Sequence, residues 1–228
     1  MRIETSHWLG REFLSIIGEG PEIGDPEAEA NALFASFGEA LAAHGLCLDN
    51  TIRSRIWATD SDARTACSTV RTRTLSGPAR AATSSYIAPA HFDSGARVAM
   101  DLIALRPLPG EEKIVTEQDP PKGVIKWLTV GELLVLPGMS CNEGGSFEHQ
   151  AADILGRITV CLREAGCGWS EVCDVTLVHE HGVQHSNIHA SLRKETEDMP
   201  PRLTLLPAEG YSRPGKLLEI ETMAIMNV

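Results

Sequence analysis

Apolar and polar positions along the chain fall into two successions of the same elements. A short apolar run ending at glycine spans 13–18, and a second spans 133–138. Leu33, Phe34, Phe37 and Leu41 recur at helical spacing, as do Ile154, Leu155, Ile158 and Leu162, so each set predicts an amphipathic helix. Gly45 and Gly166 follow these helices where a C-terminal cap is expected. An alternating strand comes next, over 51–57 and 171–177. A second, less regular helix is expected over 61–75 and 184–197. Two strands close each half, over 81–87 and 96–105 in the first and 203–206 and 216–226 in the second. An additional strand opens each half, over 2–8 and 124–128.

Matching landmarks recur in one order at offsets of 120 to 122 residues. Glu12-Phe13-Leu14 returns as Glu132-Leu133-Leu134, Pro78-Ala79-Arg80 as Pro200-Pro201-Arg202, and Val98-Ala99-Met100-Asp101 as Leu218-Glu219-Ile220-Glu221. That period is too long for a solenoid unit, so each copy is a whole domain. The expected organisation is a first domain over 1–105, a linker over 106–123 and a second domain over 124–228. Four prolines, two glycines and many charges make the linker extended. The fold class is α+β, each domain a mixed β-sheet with two helices on one face. Leu217, Leu218, Ile220, Met223, Ile225 and Met226 are apolar on both faces of the last strand, so the bare sheet face requires cover by another copy.

The net charge of −11 argues against a nucleic-acid partner, because such affinity rests on Lys and Arg neutralising phosphates. A small anionic organic substrate then needs a local arginine working against the global field. No apolar run approaches a membrane span, and the first residues lack a signal-peptide core, so a cytoplasmic protein is expected. The six cysteines lack any CxxC spacing and read as free thiols.

In order and spacing, Pro78-Ala79-Arg80-Ala81, Leu218-Glu219-Ile220-Glu221-Thr222-Met223-Ala224 and Gln150, sixteen residues before Gly166, resemble the RidA/YjgF family of enamine/imine deaminases. The resemblance covers both copies. It implies two RidA-like domains, homo-oligomeric trimer-type packing of domains, sites in clefts between neighbouring domains, and no cofactor. It also implies an arginine that binds the substrate carboxylate. A strand glutamate and a backbone carbonyl position the water that attacks an imine carbon, releasing ammonia.

On this resemblance Arg202 and Glu219 are the catalytic pair, with a carbonyl near Leu203 or Thr204 orienting the water. A planar guanidinium suits a carboxylate, and a desolvated glutamate has a raised pKa and can pass a proton. The plainer alternatives are a surface arginine after two prolines and a solvent-facing strand glutamate. Glu221 shares a face with Glu219 by period two and leaves the pair ambiguous. The first copy keeps Arg80, a candidate substrate-binding residue, but has Ala99 for the glutamate and Glu29 for Gln150. It therefore binds an anion without hydrolysing it, or lends its wall to the second copy's site. Where the family has Ser-Gly-Gln, the copies have Ile17-Gly18-Glu19 and Pro137-Gly138-Met139, so Gly138 and Met139 are candidate contacts where a ligand nears the backbone. Trp8 and Trp127 read as packing residues. Asn187 and His189 are candidates for the family's helix asparagine. His185 and His189 have a usable metal spacing, but no metal motif accompanies them and no metal site is expected.

Three functions compete on these residues: a deaminase of small carboxylate-bearing imines or enamines, a pathway-specific hydrolase acting on another C–N or a chorismate-like substrate, and a non-catalytic ligand-binding protein.

Overall fold

The computed structural model describes residues 1–196 and 200–226. In the first half, β1 (Arg2–Trp8), β2 (Arg11–Glu19), β3 (Thr51–Ala58), β4 (Ala82–Ile87) and β5 (Val98–Leu105) form one sheet in the order β1-β2-β5-β3-β4. Only β3 and β4 run parallel, joined by the right length of chain for a helical crossover. Helices α1 (Pro26–Ala43) and α2 (Ser61–Thr74) cover one face. Each starts at an aspartate, Asp25 or Asp60, whose carboxylate accepts from two backbone N–H groups of the first turn.

The second half repeats the plan. Strands β6 (Lys113–Thr116), β7 (Trp127–Val130), β8 (Leu133–Val135), β9 (Met139–Ser140), β10 (Val172–Glu180), β11 (Leu203–Ala208) and β12 (Leu218–Ile225) make the second sheet, with β10 and β11 parallel. Helices α3 (Phe147–Glu164) and α4 (His185–Thr196) pack on it. The expected helix over 184–197 is seen to Thr196; Glu197 lies outside the described residues.

The duplication reaches into details. The strand that follows the first helix of each half, β3 or β10, carries an irregularity at matched positions, between Thr51 and Arg53 and between Val172 and Asp174. Gly45 and Gly166, at φ 66° and 85°, cap α1 and α3 in the left-handed region. The buried Glu29 carboxylate accepts from the N–H of Arg97 at 2.7 Å, and the Gln150 amide oxygen from the N–H of Leu217 at 2.9 Å. Both clamp the loop that leads into the last strand, which is a structural use of the position.

Two expectations are modified. Residues 106–123, read as an extended linker, contain β6, which pairs with β7 and widens the second sheet. The run over 133–138 is not one strand. Pro137 has no N–H for the ladder, so β8 ends at Val135. Gly138 N then donates to Thr83 O in β4 at 3.2 Å, tying the second half to an edge of the first sheet.

The bare sheet faces are covered inside the chain. Phe13, Ile52, Ala82 and Leu105 of the first sheet pack with Leu128, Val130, Leu133, Val135 and Met223 of the second. A buried polar group crosses the same interface: Glu221 accepts from Arg53 Nη1 at 2.6 Å and from Arg55 Nε at 2.8 Å. No helix among the described residues is long and apolar enough to cross a membrane. The six cysteines are free thiols, four of them buried.

Candidate functional site

Docking β4 against the second half leaves a cleft of about 590 Å3 between the two domains. The first domain contributes Arg71 from α2, Arg80 from the turn before β4, and Thr83 and Ser84 from β4 itself. From the second domain come Gly138, Ser140 of β9, Ser212, Lys216 and Glu219 of β12.

Glu219 and Glu221 project from the same face of β12 and are both buried. Their environments separate them. Burial and the neighbouring Glu221 charge push Glu219 up to about 7. Burial works against ionised Glu221 too, but Arg55 and Arg53 outweigh it and hold that carboxyl at about 2. Ser84 Oγ donates to Glu221 Oε1 at 2.5 Å. The Tyr86 hydroxyl lies 3.2 Å from an oxygen of each glutamate. With its own ionisation driven far up by burial, Tyr86 stays protonated and bridges the pair as a phenol. One glutamate is thus a fixed anion, and the other exchanges a proton near neutral pH. Such a divergent pair makes Glu219 the candidate acid/base residue of the cleft.

Glu219 needs room for its carboxylate, and Gly138 supplies it. A Cβ at Gly138 would collide with Glu219 Oε1 and stand 2.9 Å from the Ser84 Cβ. The glycine therefore accommodates the Glu219 carboxylate, a use beyond the ligand approach expected from sequence.

Arg71 is a buried cation on the cleft wall. Its Nη1 donates to the carbonyls of Ser54 at 3.3 Å and Ser84 at 2.5 Å. No carboxylate among the described residues pairs with it, and burial lowers its pKa to about 10. Arg80 has a counterion: Nη1 meets Glu117 Oε1 at 2.8 Å, and Nη2 reaches the Gly123 carbonyl at 3.3 Å. Lys216 Nζ donates to Ser140 Oγ at 2.6 Å and Ser212 Oγ at 2.9 Å.

The cleft brings together Glu219, Arg80 and Gly138 of the residues singled out from sequence. It does not bring Arg202 to Glu219. In the register of the second sheet, Glu219 stands beside Val178 and hence Leu206, whereas Arg202 precedes Leu203 beside Val175. Four residues of strand separate the two levels, about 13 Å. Arg202 is 60% exposed, pairs through Nε with Asp174 at 3.2 Å, and lies over the Trp8 ring at 5.3 Å. Together with Thr204 and Arg55 it lines a separate hollow of about 220 Å3. Met139 pairs with Ile220 and packs on the second core. Asn187 is exposed and His189 half-buried on α4, and neither lines the cleft or the hollow. Among the described residues no cluster of His, Cys, Asp and Glu is placed to hold a metal ion.

Arg71, Tyr86, Ser84 and Lys216 were not singled out from sequence. Arg71 follows Ala63, Cys67 and Val70 on the buried stripe of α2, and an arginine on such a stripe is a legible signal. Ser84 and Tyr86 occupy the buried positions of alternating β4, another such signal. Lys216 sits in a loop with no periodicity to single it out.

No protein-family model and no curated protein matches the chain. Among solved structures, the chain is similar to a chorismatase at 16% identity and a TM-score of 0.68, over 97% of this chain and 79% of that one. A YjgF/YER057c/UK114 family member from Mycobacterium tuberculosis matches over its whole length and 50% of this chain, at 19% identity and a TM-score of 0.45. A YjgF family member from Neisseria meningitidis matches over 97% of its length and 51% of this chain, at 20% identity and a TM-score of 0.43. At such identities the likeness is one of fold: the chorismatase shares the two-half α+β architecture over nearly the whole of this chain.

Proposed function

We propose that the interdomain cleft is the active site of a hydrolase for a small carboxylate-bearing imine or enamine, releasing ammonia. The observation that carries this reading is the proton-exchanging Glu219 in a cleft walled by cations. Arg71 holds the substrate carboxylate, with Arg80, paired to Glu117, on the same wall. Protonated Glu219 gives its proton to an enamine carbon, or keeps an imine nitrogen protonated, which makes the adjacent carbon electrophilic. As the carboxylate, Glu219 then removes a proton from the attacking water. The carbinolamine loses ammonia, so imine plus water gives the oxo acid plus ammonia. The Tyr86 hydroxyl holds the Glu219 carboxyl in place through this exchange, and the Glu221 charge keeps its pKa raised.

A second reading is hydrolysis of an enol ether on a chorismate-like ring. The cleft volume of about 590 Å3 favours it, being roomy for a three-carbon imino acid. The same residues serve: Glu219 protonates the vinylic carbon, and water adds to the resulting cation. Reduced thiols at all six cysteines suit a cytoplasmic setting for either reaction.

The test is turnover on two substrate types. Ammonia release is followed from 2-aminoacrylate and larger imino acids made in situ, and pyruvate release from chorismate. Faster ammonia release supports the deaminase. Pyruvate release without it replaces the deaminase by the second reading. Neither product sinks the hydrolase assignment.

A further inference from the structure

The whole chain carries a net charge of −11, yet the cleft collects positive charge. Arg71 and Lys216 both line it and have no carboxylate partner among the described residues. Burial lowers the Lys216 pKa most; Glu219 opposes that shift, and Arg213 and Arg64 add to it. Arg80 is neutralised by Glu117. Among the described residues the one carboxylate lining the cleft is Glu219, whose pKa of about 7 leaves it about half protonated at neutral pH. Glu219 acts on both cations and supplies at most one charge between them; two desolvated cations anchored only to neutral acceptors are unfavourable in a low-dielectric wall unless a ligand supplies the rest.

The two cations are anchored on opposite walls. Arg71 is fixed to carbonyls of β3 and β4 in the first domain, and Lys216 to Ser140 and Ser212 in the second. We propose that the cleft takes a dianion: one carboxylate on Arg71, beside Glu219, and a second anionic group on Lys216 with the Ser140 and Ser212 hydroxyls. The inference rests on the cleft being the substrate site and refines the substrate class. A monoanionic imino acid bound beside protonated Glu219 would leave one of the two cations uncompensated.

The experiment is calorimetric binding at pH 7 of unreactive probes: succinate, glutarate and isophthalate against butyrate and benzoate. Wild type, Lys216→Met and Arg71→Lys are compared, each checked for an unchanged melting transition. At least one dicarboxylate is expected to bind wild type about tenfold or more tighter than its monocarboxylate analogue. Lys216→Met is expected to erase that advantage while leaving monocarboxylate affinity within about twofold, and Arg71→Lys to weaken both classes. Equal binding of both classes to wild type, no binding at all, or an advantage that survives Lys216→Met would overturn the proposal. Binding is read without turnover, so the two readings fail separately. A dicarboxylate preference with no hydrolysis of any substrate refutes the hydrolase and leaves the dianion site. Rapid deamination of a monocarboxylate with no dicarboxylate preference does the reverse.

Discussion

Glu219 and Glu221 lie two residues apart on one strand, and the Tyr86 hydroxyl reaches both at 3.2 Å. One carboxyl is held at about 2 by two guanidinium groups, and the other is raised to about 7 by burial and by its neighbour. Glu219 faces the cleft, where the chemistry is proposed; Glu221 faces the interdomain core.

The raised carboxyl has a stability consequence of definite sign. The folded pKa of Glu219, about 7, exceeds its ordinary value of 4.5. Its contribution is therefore fully present below pH 4.5 and is lost as pH rises through 7. The loss approaches roughly 3 kcal/mol above that range. Glu219→Gln removes the titration, so the variant should gain stability relative to wild type between pH 5 and pH 8. Denaturant unfolding at the two pH values checks this, and a constant difference would contradict it.

Glu221 behaves in the opposite sense. Its stabilisation is present above the ordinary carboxylate pKa and fades as pH falls toward 2. Replacing Glu221 by Gln leaves the buried Arg53 and Arg55 without their anion, a loss of about 3–5 kcal/mol. A chemical denaturation curve should show that loss at pH 7. A change below about 1 kcal/mol would mean that water or Asp101 already compensates the arginines.

Gly138→Ala tests the close approach of the second domain's loop to the acid/base residue. The added methyl must displace the Glu219 carboxylate or the Ser84 side chain. Turnover is expected to fall about 10²-fold or more, with a modest change in melting temperature. Wild-type turnover in this variant would show that the carboxylate is not held where it acts.

Much of the fold was legible because it is written twice. The Leu33/Phe34/Phe37/Leu41 and Ile154/Leu155/Ile158/Leu162 stripes are both buried, and the capping glycines both adopt positive φ. The apolar last strands called for cover by another copy, and the first domain supplies it. The site was legible in half. The family motif matches an arginine and a glutamate within the second copy, which joined Arg202 to Glu219. The cleft instead takes its arginines from the first copy and its glutamate from the second, and no spacing within one copy reveals such an exchange. β6 was hidden because prolines on both sides made residues 106–123 look uniformly extended. Arg71 was passed over because α2 is mostly polar and its buried stripe is narrow.

Arg71 should then matter for binding more than for folding of the cleft. Arg71→Lys keeps the charge and loses the planar fork. We expect KM to rise about tenfold or more with a smaller change in kcat. Loss confined to kcat would instead place Arg71 on the transition state alone.

The central claim is that the chemistry belongs to the interdomain cleft and to Glu219, not to the hollow around Arg202. The most direct measurement compares turnover of wild type, Glu219→Gln and Arg202→Ala on whichever substrate the wild type consumes. Glu219→Gln should lose about 10²–10⁴-fold in kcat, and Arg202→Ala should stay within about threefold. Near-normal turnover in Glu219→Gln, or its collapse in Arg202→Ala, would contradict the account.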